Sequence, residues 1–143
     1  MADHIIDATN AIVGRMASHA AKLALKGDTV KIINVEKAIM TGSRDYVFGK
    51  YSHARTDRGQ IRHGPYIHRN PDKFVRRIVR GMLPHDKLRG REAIRRVLCY
   101  TGVPPELKSA KAEPLGPKTQ VSKLTNLNYV TIADLCRHLG AKV

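Results

Sequence analysis

The chain has 143 residues, 42% of them hydrophobic but only 5% aromatic and none of them Trp, a composition suited to one domain with an aliphatic core. Its formal net charge of +14 speaks to partners rather than to fold, and the partners such charge selects are nucleic acid or an anionic membrane surface. No apolar run approaches the ~18 residues of a membrane span, and the start, MADHIIDATN, has acid where a secretory signal needs basic residues. Cys99 and Cys136 sit in apolar settings, RVLCY and ADLCRHL, form no C-x-x-C and read as buried thiols of a reducing cytoplasm.

HIIDA (4–8) reads as a short buried strand. Thr9 and Asn10 are turn or N-cap residues, and a helical repeat of Val13, Met16, Ala17, Ala20 and Leu23 then runs to about Lys26, with Gly27 as its stop. TVKIINV (29–35) is a second strand, rich in β-branched residues, and strand–helix–strand order requires a parallel pair. KAIMTG (37–42) predicts a third strand, and Ser43 caps a helix through about His53. Residues 53–70 are basic and rich in turn formers, hence an exposed loop. NPDKF opens a helix over 71–83: Asn70 as cap, Pro71 at the first position, Asp72 at the positive dipole end. KLRGREAIRRV (87–97) and a fourth strand at 96–102 follow. The stretch 104–130 has four prolines and few large apolar residues, so it is either disordered or an extension that orders on a partner's surface. Thr131 and Asp134 have capping-box spacing ahead of an apolar stripe of Ile132, Leu135, Cys136 and Leu139, closed by Gly140. Alternation of this kind predicts an α/β layered domain.

The charge is unevenly distributed. Residues 43–97 carry net +10, against +1 for residues 1–42 and +3 for residues 98–143. Within 43–97 there are 12 Arg and 3 Lys, and Arg grips phosphate oxygens in pairs where Lys cannot. On a helical wheel Lys73, Arg76, Arg77 and Arg80 share an arc of about 100°, with Phe74, Val75, Ile78, Val79 and Met82 opposite. Each like-charge pair four residues apart costs about 0.2–0.5 kcal/mol unless an anion lies across the stripe. Arg95 and Arg96 divide evenly between anion binding and salt-bridging to Glu92. Tyr46, Phe48, Tyr51 and Tyr66 alternate with cations, a pattern suited to stacking on unpaired bases; for Tyr46 and Phe48 packing on the sheet is the simpler reading.

Other chemistries find little support. The strand ends would gather Asp7, Thr9, Asn10, Asn34, Glu36 and Ser43, all explained as turn and cap residues, and neither G-x-G-x-x-G nor a Walker lysine motif is present. His63 and His68 stand five apart without a nearby Cys, which argues against zinc. A membrane-surface helix would need free apolar residues beside its cations, whereas Phe74, Ile78 and Val79 are needed for the core.

Four stretches in order, IIDATNAIVGRMAS (5–18), VEKAIMTGSR (35–44), VRGMLP (79–84) and RVLCYTGVP (96–104), resemble the large-subunit ribosomal protein thirteen family. The resemblance implies a three-layer α/β/α domain around a four-stranded parallel sheet of order 3-2-1-4, large-subunit rRNA as ligand, and no catalytic residue or cofactor. It makes Gly14, Arg15, Arg80, Gly81, Leu83 and Pro84 family-motif positions. Bacterial-type members have extra residues where LKGDTVKII is direct, and eukaryotic relatives are longer at the C-terminus, so the compact chain resembles the archaeal type.

Residues and resemblance together predict an α/β rRNA-binding domain over 1–103, with 104–143 a proline-rich extension and short C-terminal helix packed on it. The expected function is that of a structural constituent of the large ribosomal subunit, in the cytoplasm. The expected rRNA contacts are Arg15, Arg44, Lys50, Arg55, Arg58, Arg62, Arg69, Lys73, Arg76, Arg77, Arg80, Lys87, Arg89 and Arg91. The expected partners are large-subunit rRNA and neighbouring ribosomal proteins, with no membrane, no small-molecule substrate, no metal and no cofactor. The rival is a free-standing RNA-processing or nucleotide-binding α/β enzyme, which would need clustered ionisable groups at the strand ends.

Overall fold

The computed structural model describes residues 2–57, 64, 66–110, 112, 113 and 115–143. The first strand, β1 (Asp3–Asp7), is followed by helix α1 (Val13–Lys26) and strand β2 (Thr29–Ile33), and the two strands pair in parallel from Asp3↔Thr29 to Asp7↔Ile33. Gly27 ends α1 as expected, with φ of 109° and its amide donating to the carbonyls of Ala24 and Leu23. Before α1 the turn alternative holds for Thr9 and Asn10. Asn10 takes a left-handed turn (φ 57°) and the N-cap position falls at Ile12, without a side-chain cap bond. Ala11 and Ile12 are bridge residues rather than helix because, with the backbone of Asn10, they serve as a pairing edge for two other segments, described below.

Helix α2 (Arg44–Thr56) begins where expected, the Ser43 hydroxyl accepting from the Tyr46 amide at 3.4 Å. Helix α3 (Pro71–Gly81) follows, with Asn70 at its N-cap but making no side-chain cap bond. Helix α4 (Leu88–Arg95) leads directly into strand β4 (Val97–Cys99). The apolar face of α3 is buried through Phe74, Val75 and Val79 against α1, β4 and the last helix, α5 (Ile132–His138). Met82, expected on that face, lies past the helix and is exposed, its sulfur 3.4 Å from the Ser18 hydroxyl. At the start of α5 the Thr131 hydroxyl accepts from the Asp134 amide at 3.1 Å.

The sheet corrects the expectation of four parallel strands in the order 3-2-1-4. Three strands are parallel, in the order β1-β2-β4 with β2 in the centre. Strand β3 (Ile39–Thr41) instead pairs antiparallel with β5 (Tyr129–Thr131). The physical cause lies just after β2. Asn34 adopts φ of 54° and a single 3-10 turn, Val35–Lys37, follows, so the chain leaves the line of β2 before β3 begins. The edge β3 would have needed is filled by the chain after β4: the amides of Asn34 and Val35 donate to the carbonyls of Gly102 and Tyr100 at 3.0 and 3.3 Å. β3 then lies beside residues 10–12, its Ile39 amide donating to Ala11 at 2.9 Å.

Over 104–130 the described residues follow a defined path. The described part contains three single-turn 3-10 pieces and returns along the body of the protein. The Glu113 amide donates to the Ile5 carbonyl at 2.7 Å, the Ile12 amide to Thr119 at 2.8 Å and the Val121 amide to Asn10 at 3.1 Å. Thr119 is buried, which gives this polar, proline-rich segment an anchor.

The Glu113 contact carries a pH dependence. His4 Nδ1 lies 2.7 Å from the Glu113 carboxylate and Nε2 lies 3.5 Å from that of Asp28. The Glu113 hydrogen bond, then the two negative charges, hold the imidazole above its ordinary range against the opposing effect of burial. A base raised on folding stabilises fully below its unfolded pKa of about 6.5 and loses that contribution as pH rises through the raised value. Protection of the Glu113 amide from hydrogen exchange, corrected for intrinsic rate, is therefore expected to be greater at pH 6 than at pH 8.5. In His4→Gln that pH difference disappears; a profile identical to the parent's would show that His4 does not hold the extension.

Candidate nucleic-acid interface

The basic residues are placed by the outer faces of the helices. α3 is amphipathic, with Lys73, Arg76, Arg77 and Arg80 exposed and Phe74, Val75 and Val79 buried on the opposite face. These four cations, with His68 and Ile94, line a hollow of about 390 Å³ between α3, the chain before it and the end of α4. A second hollow of about 240 Å³ adjoins it, lined by Ile67, His68, Arg69, Asn70 and Lys73. Among the described residues no carboxylate lines either one.

Two guanidinium groups are held in place there. Arg76 donates to the Ile94 carbonyl at 3.1 Å, and Arg77 lies 3.0 Å from His68 Nε2. Arg forks carry five N–H donors, so each retains several for a ligand. Among the described residues no ion pair involves Lys73, Arg76, Arg77 or Arg80. Pre-positioned, unpaired cations in an acid-free hollow can take phosphate oxygens without first breaking a salt bridge.

The remaining predicted contacts separate into groups. Arg69, Lys87, Arg89 and Arg91 are exposed around α3 and α4 and continue the basic surface. Arg44 and Lys50 are exposed on α2, 5.0 Å from the centroid of the Phe48 ring and 6.0 Å from that of Tyr51 respectively. Arg15 and Arg55 make internal contacts, Arg15 donating to the Lys118 carbonyl and Arg55 to the Leu139 carbonyl at the end of α5. Arg58 and Arg62, like His63, lie outside the described residues. Of the undecided pair, Arg96 is 3.8 Å from Glu92 and 3.4 Å from the Ala24 carbonyl, whereas Arg95 is exposed.

The aromatic residues also divide. Phe48 stacks on His138 at 4.3 Å and Tyr51 meets Phe74 edge-on at 5.2 Å, so both join α2 to the helices behind it. Tyr46, expected to pack on the sheet, is instead 64% exposed, and Tyr66 is 60% exposed.

One basic face escapes a tally of charge by segments. The helix α1 contains no acid, and Arg15, His19, Lys22 and Lys26 are exposed along it at intervals of four, three and four residues. That spacing was the available signal. It is masked because the acids of residues 1–42, Asp3, Asp7, Asp28 and Glu36, all lie outside the helix and bring the segment to +1.

The polar residues at the strand ends are engaged in the turns. Asp7 accepts from the Thr9 amide and hydroxyl at 3.0 and 2.7 Å and from the Asn34 amide group at 3.1 Å. Burial pulls its carboxyl upward, but those hydrogen bonds outweigh it and hold the group below its usual range. Glu36 accepts from the Gly102 amide at 3.1 Å. Cys99 and Cys136 are free, and burial pushes both thiols up to about 12, well away from nucleophilic thiolates. Among the described residues no helix is long and apolar enough to cross a membrane.

A small α/β scaffold that turns acid-free cationic helix faces outward, with strand-end polar groups engaged in turns, defines a basic α/β protein with its cations at the surface. Its relatives are specific. The family described as Ribosomal protein L13 matches residues 2–106. The chain is 42% identical to the large ribosomal subunit protein uL13 of Methanococcus maripaludis, over 96% of this chain and 98% of that one. It is 40% identical to the proteins of the same name from Methanococcoides burtonii and Methanocaldococcus jannaschii, again over 96% of this chain and 98% of theirs. The chain belongs to the ribosomal protein L13 family.

Proposed function

We propose that this protein is a structural constituent of the large ribosomal subunit and binds folded rRNA through the face made by α3, the chain before it and α4. The observation that carries this reading is the α3 hollow: four cations, two of them hydrogen-bonded in place, and no carboxylate. The names of its relatives support the assembly, and the rRNA contact rests on the chemistry of the face. Residues 1–103 form the rRNA-binding unit and 104–143 an extension packed on it, positioned to meet RNA or neighbouring ribosomal proteins. Contacts to phosphate orient such a protein, and RNA shape selects its place. Its site of action is the cytoplasmic ribosome, and it needs no cofactor.

The test is the salt dependence of binding to deproteinised large-subunit rRNA. If 6–10 phosphates are engaged, affinity falls by about 10³–10⁵-fold between 50 and 200 mM salt. A salt-independent affinity would sink the electrostatic basis of this function.

A further inference from the structure

The α1 stripe meets a second helix. His19, Lys22, Leu23, Leu25 and Lys26 of α1, with Arg89 of α4, line a hollow of about 380 Å³. It shares no residue with the hollow of α3. Among the described residues no side-chain hydrogen bond or ion pair engages His19, Lys22, Lys26 or Arg89, and all four are exposed. Leu23 and Leu25 are half-buried against the core, so the floor is fixed while the rim is charged.

α4 stands between the two hollows. Its C-terminal end, at Ile94, closes the α3 side, where Arg76 donates to the Ile94 carbonyl. Its N-terminal end, at Arg89, closes the α1 side. Five residues separate Arg89 from Ile94, which at about 100° per residue puts them about 140° apart around the axis. The two cationic hollows therefore open on different sides of one short helix, and Arg91 and Arg95 are exposed on that same helix. A single strand lying in the α3 hollow does not thereby fill the other.

We infer that the α1/α4 hollow is a second phosphate-backbone site, so that the protein bridges two RNA segments with α4 seated between them. This rests on the rRNA-binding reading above and goes beyond it. The occupant follows from charge complementarity: three permanent cations and an imidazole and, among the described residues, no carboxylate in the lining and no internal partner to displace. Bridging is what gives a small protein without catalytic groups a structural effect on a folded RNA, because it ties together segments that otherwise repel.

The test compares Lys22→Gln/Lys26→Gln/Arg89→Gln with Arg76→Gln/Arg77→Gln/Arg80→Gln on deproteinised large-subunit rRNA, reading hydroxyl-radical footprints and salt slopes. The expected result is two protected segments, each absent in one variant only, and a salt slope lowered by about 2–3 in each, as the removal of three phosphate-binding cations requires. If the first variant keeps the parent's footprint and slope while the second loses affinity, the bridge is overturned and the α3 reading stands; the hollow would then suit an acidic protein neighbour. Loss of one common segment in both variants overturns it in favour of a single continuous site. No effect in either variant overturns the bridge together with the reading beneath it. An iron chelate tethered at Lys22→Cys or Arg80→Cys gives the same answer without removing three charges, and burial, which raises the Cys99 and Cys136 thiols, favours labelling at the introduced cysteine. Cleavage at separate segments from the two positions is expected, and cleavage at one shared segment refutes the bridge.

Discussion

Replacing Arg76, Arg77 and Arg80 together by Gln is expected to weaken binding to large-subunit rRNA by about 10³-fold or more at ~0.1 M salt, taking at least about 1.5 kcal/mol for each charge-assisted hydrogen bond to phosphate that is removed. The fold should survive. All three side chains are exposed, and the internal hydrogen bonds they give up, to the Ile94 carbonyl and to His68, lie at the surface. Against them stands the relief of repulsion between Arg76 and Arg80 and between Lys73 and Arg77, about 0.2–0.5 kcal/mol per pair. The unfolding midpoint is thus expected to stay within about 3 °C of the parent's. Undiminished binding would remove α3 from the interface, and a variant that unfolds would make these arginines structural instead.

Gly90→Ala is expected to act in the opposite way, through the fold. Gly90 is buried within α4, and a Cβ there would lie 2.1 Å from the Pro84 carbonyl oxygen, 2.4 Å from its carbon and 2.8 Å from the His85 nitrogen. All three are backbone atoms, so no side chain can swing aside. Alanine's helix preference returns up to about 1 kcal/mol, but overpacking against a main chain exceeds it, for a net destabilisation of about 2–3 kcal/mol. The midpoint should fall by about 6–10 °C. The displaced element would be α4, which carries Arg89 and Arg91 and places Ile94 for Arg76, so RNA binding should weaken although no cation is removed. Gly14→Ala in α1 is the control: a Cβ there meets nothing within 4 Å, and the midpoint should hold or rise. Equal effects of the two substitutions would show that the Pro84 contact is not what requires glycine.

The α3 arginines and Gly90 differ in how far their roles could be read directly from residues. The α3 face was legible because a helix brings residues three and four apart together, so a run such as KFVRRIVR declares both its faces. The stop at Gly27 and the caps at Ser43 and Thr131 were legible for the same reason, each acting on an amide or carbonyl within four residues. The four stretches that resemble the ribosomal family were legible as well, and the relatives agree with them. Gly90 was not. Its need for glycine comes from a turn that packs across the helix, and nothing in LRGREAIR signals the collision.

By itself, then, the sequence determined the helices and their charged faces, the family and the mostly aliphatic core, all of them set by composition or by neighbours along the chain. Only the tertiary structure decided which strand edges meet: β2 in the centre of three parallel strands, and β3 joined to β5 about ninety residues further on. It also decided which cations stay free for a ligand. Arg15 reaches the carbonyl of Lys118 and Arg55 that of Leu139, partners 103 and 84 residues away, while Lys22 and Arg89 come to line one hollow. The reason is physical. Hydrogen-bonding edges and carbonyl acceptors are nearly alike in every residue, so local chemistry cannot choose among distant ones, and the choice falls to whichever packing buries the apolar faces together.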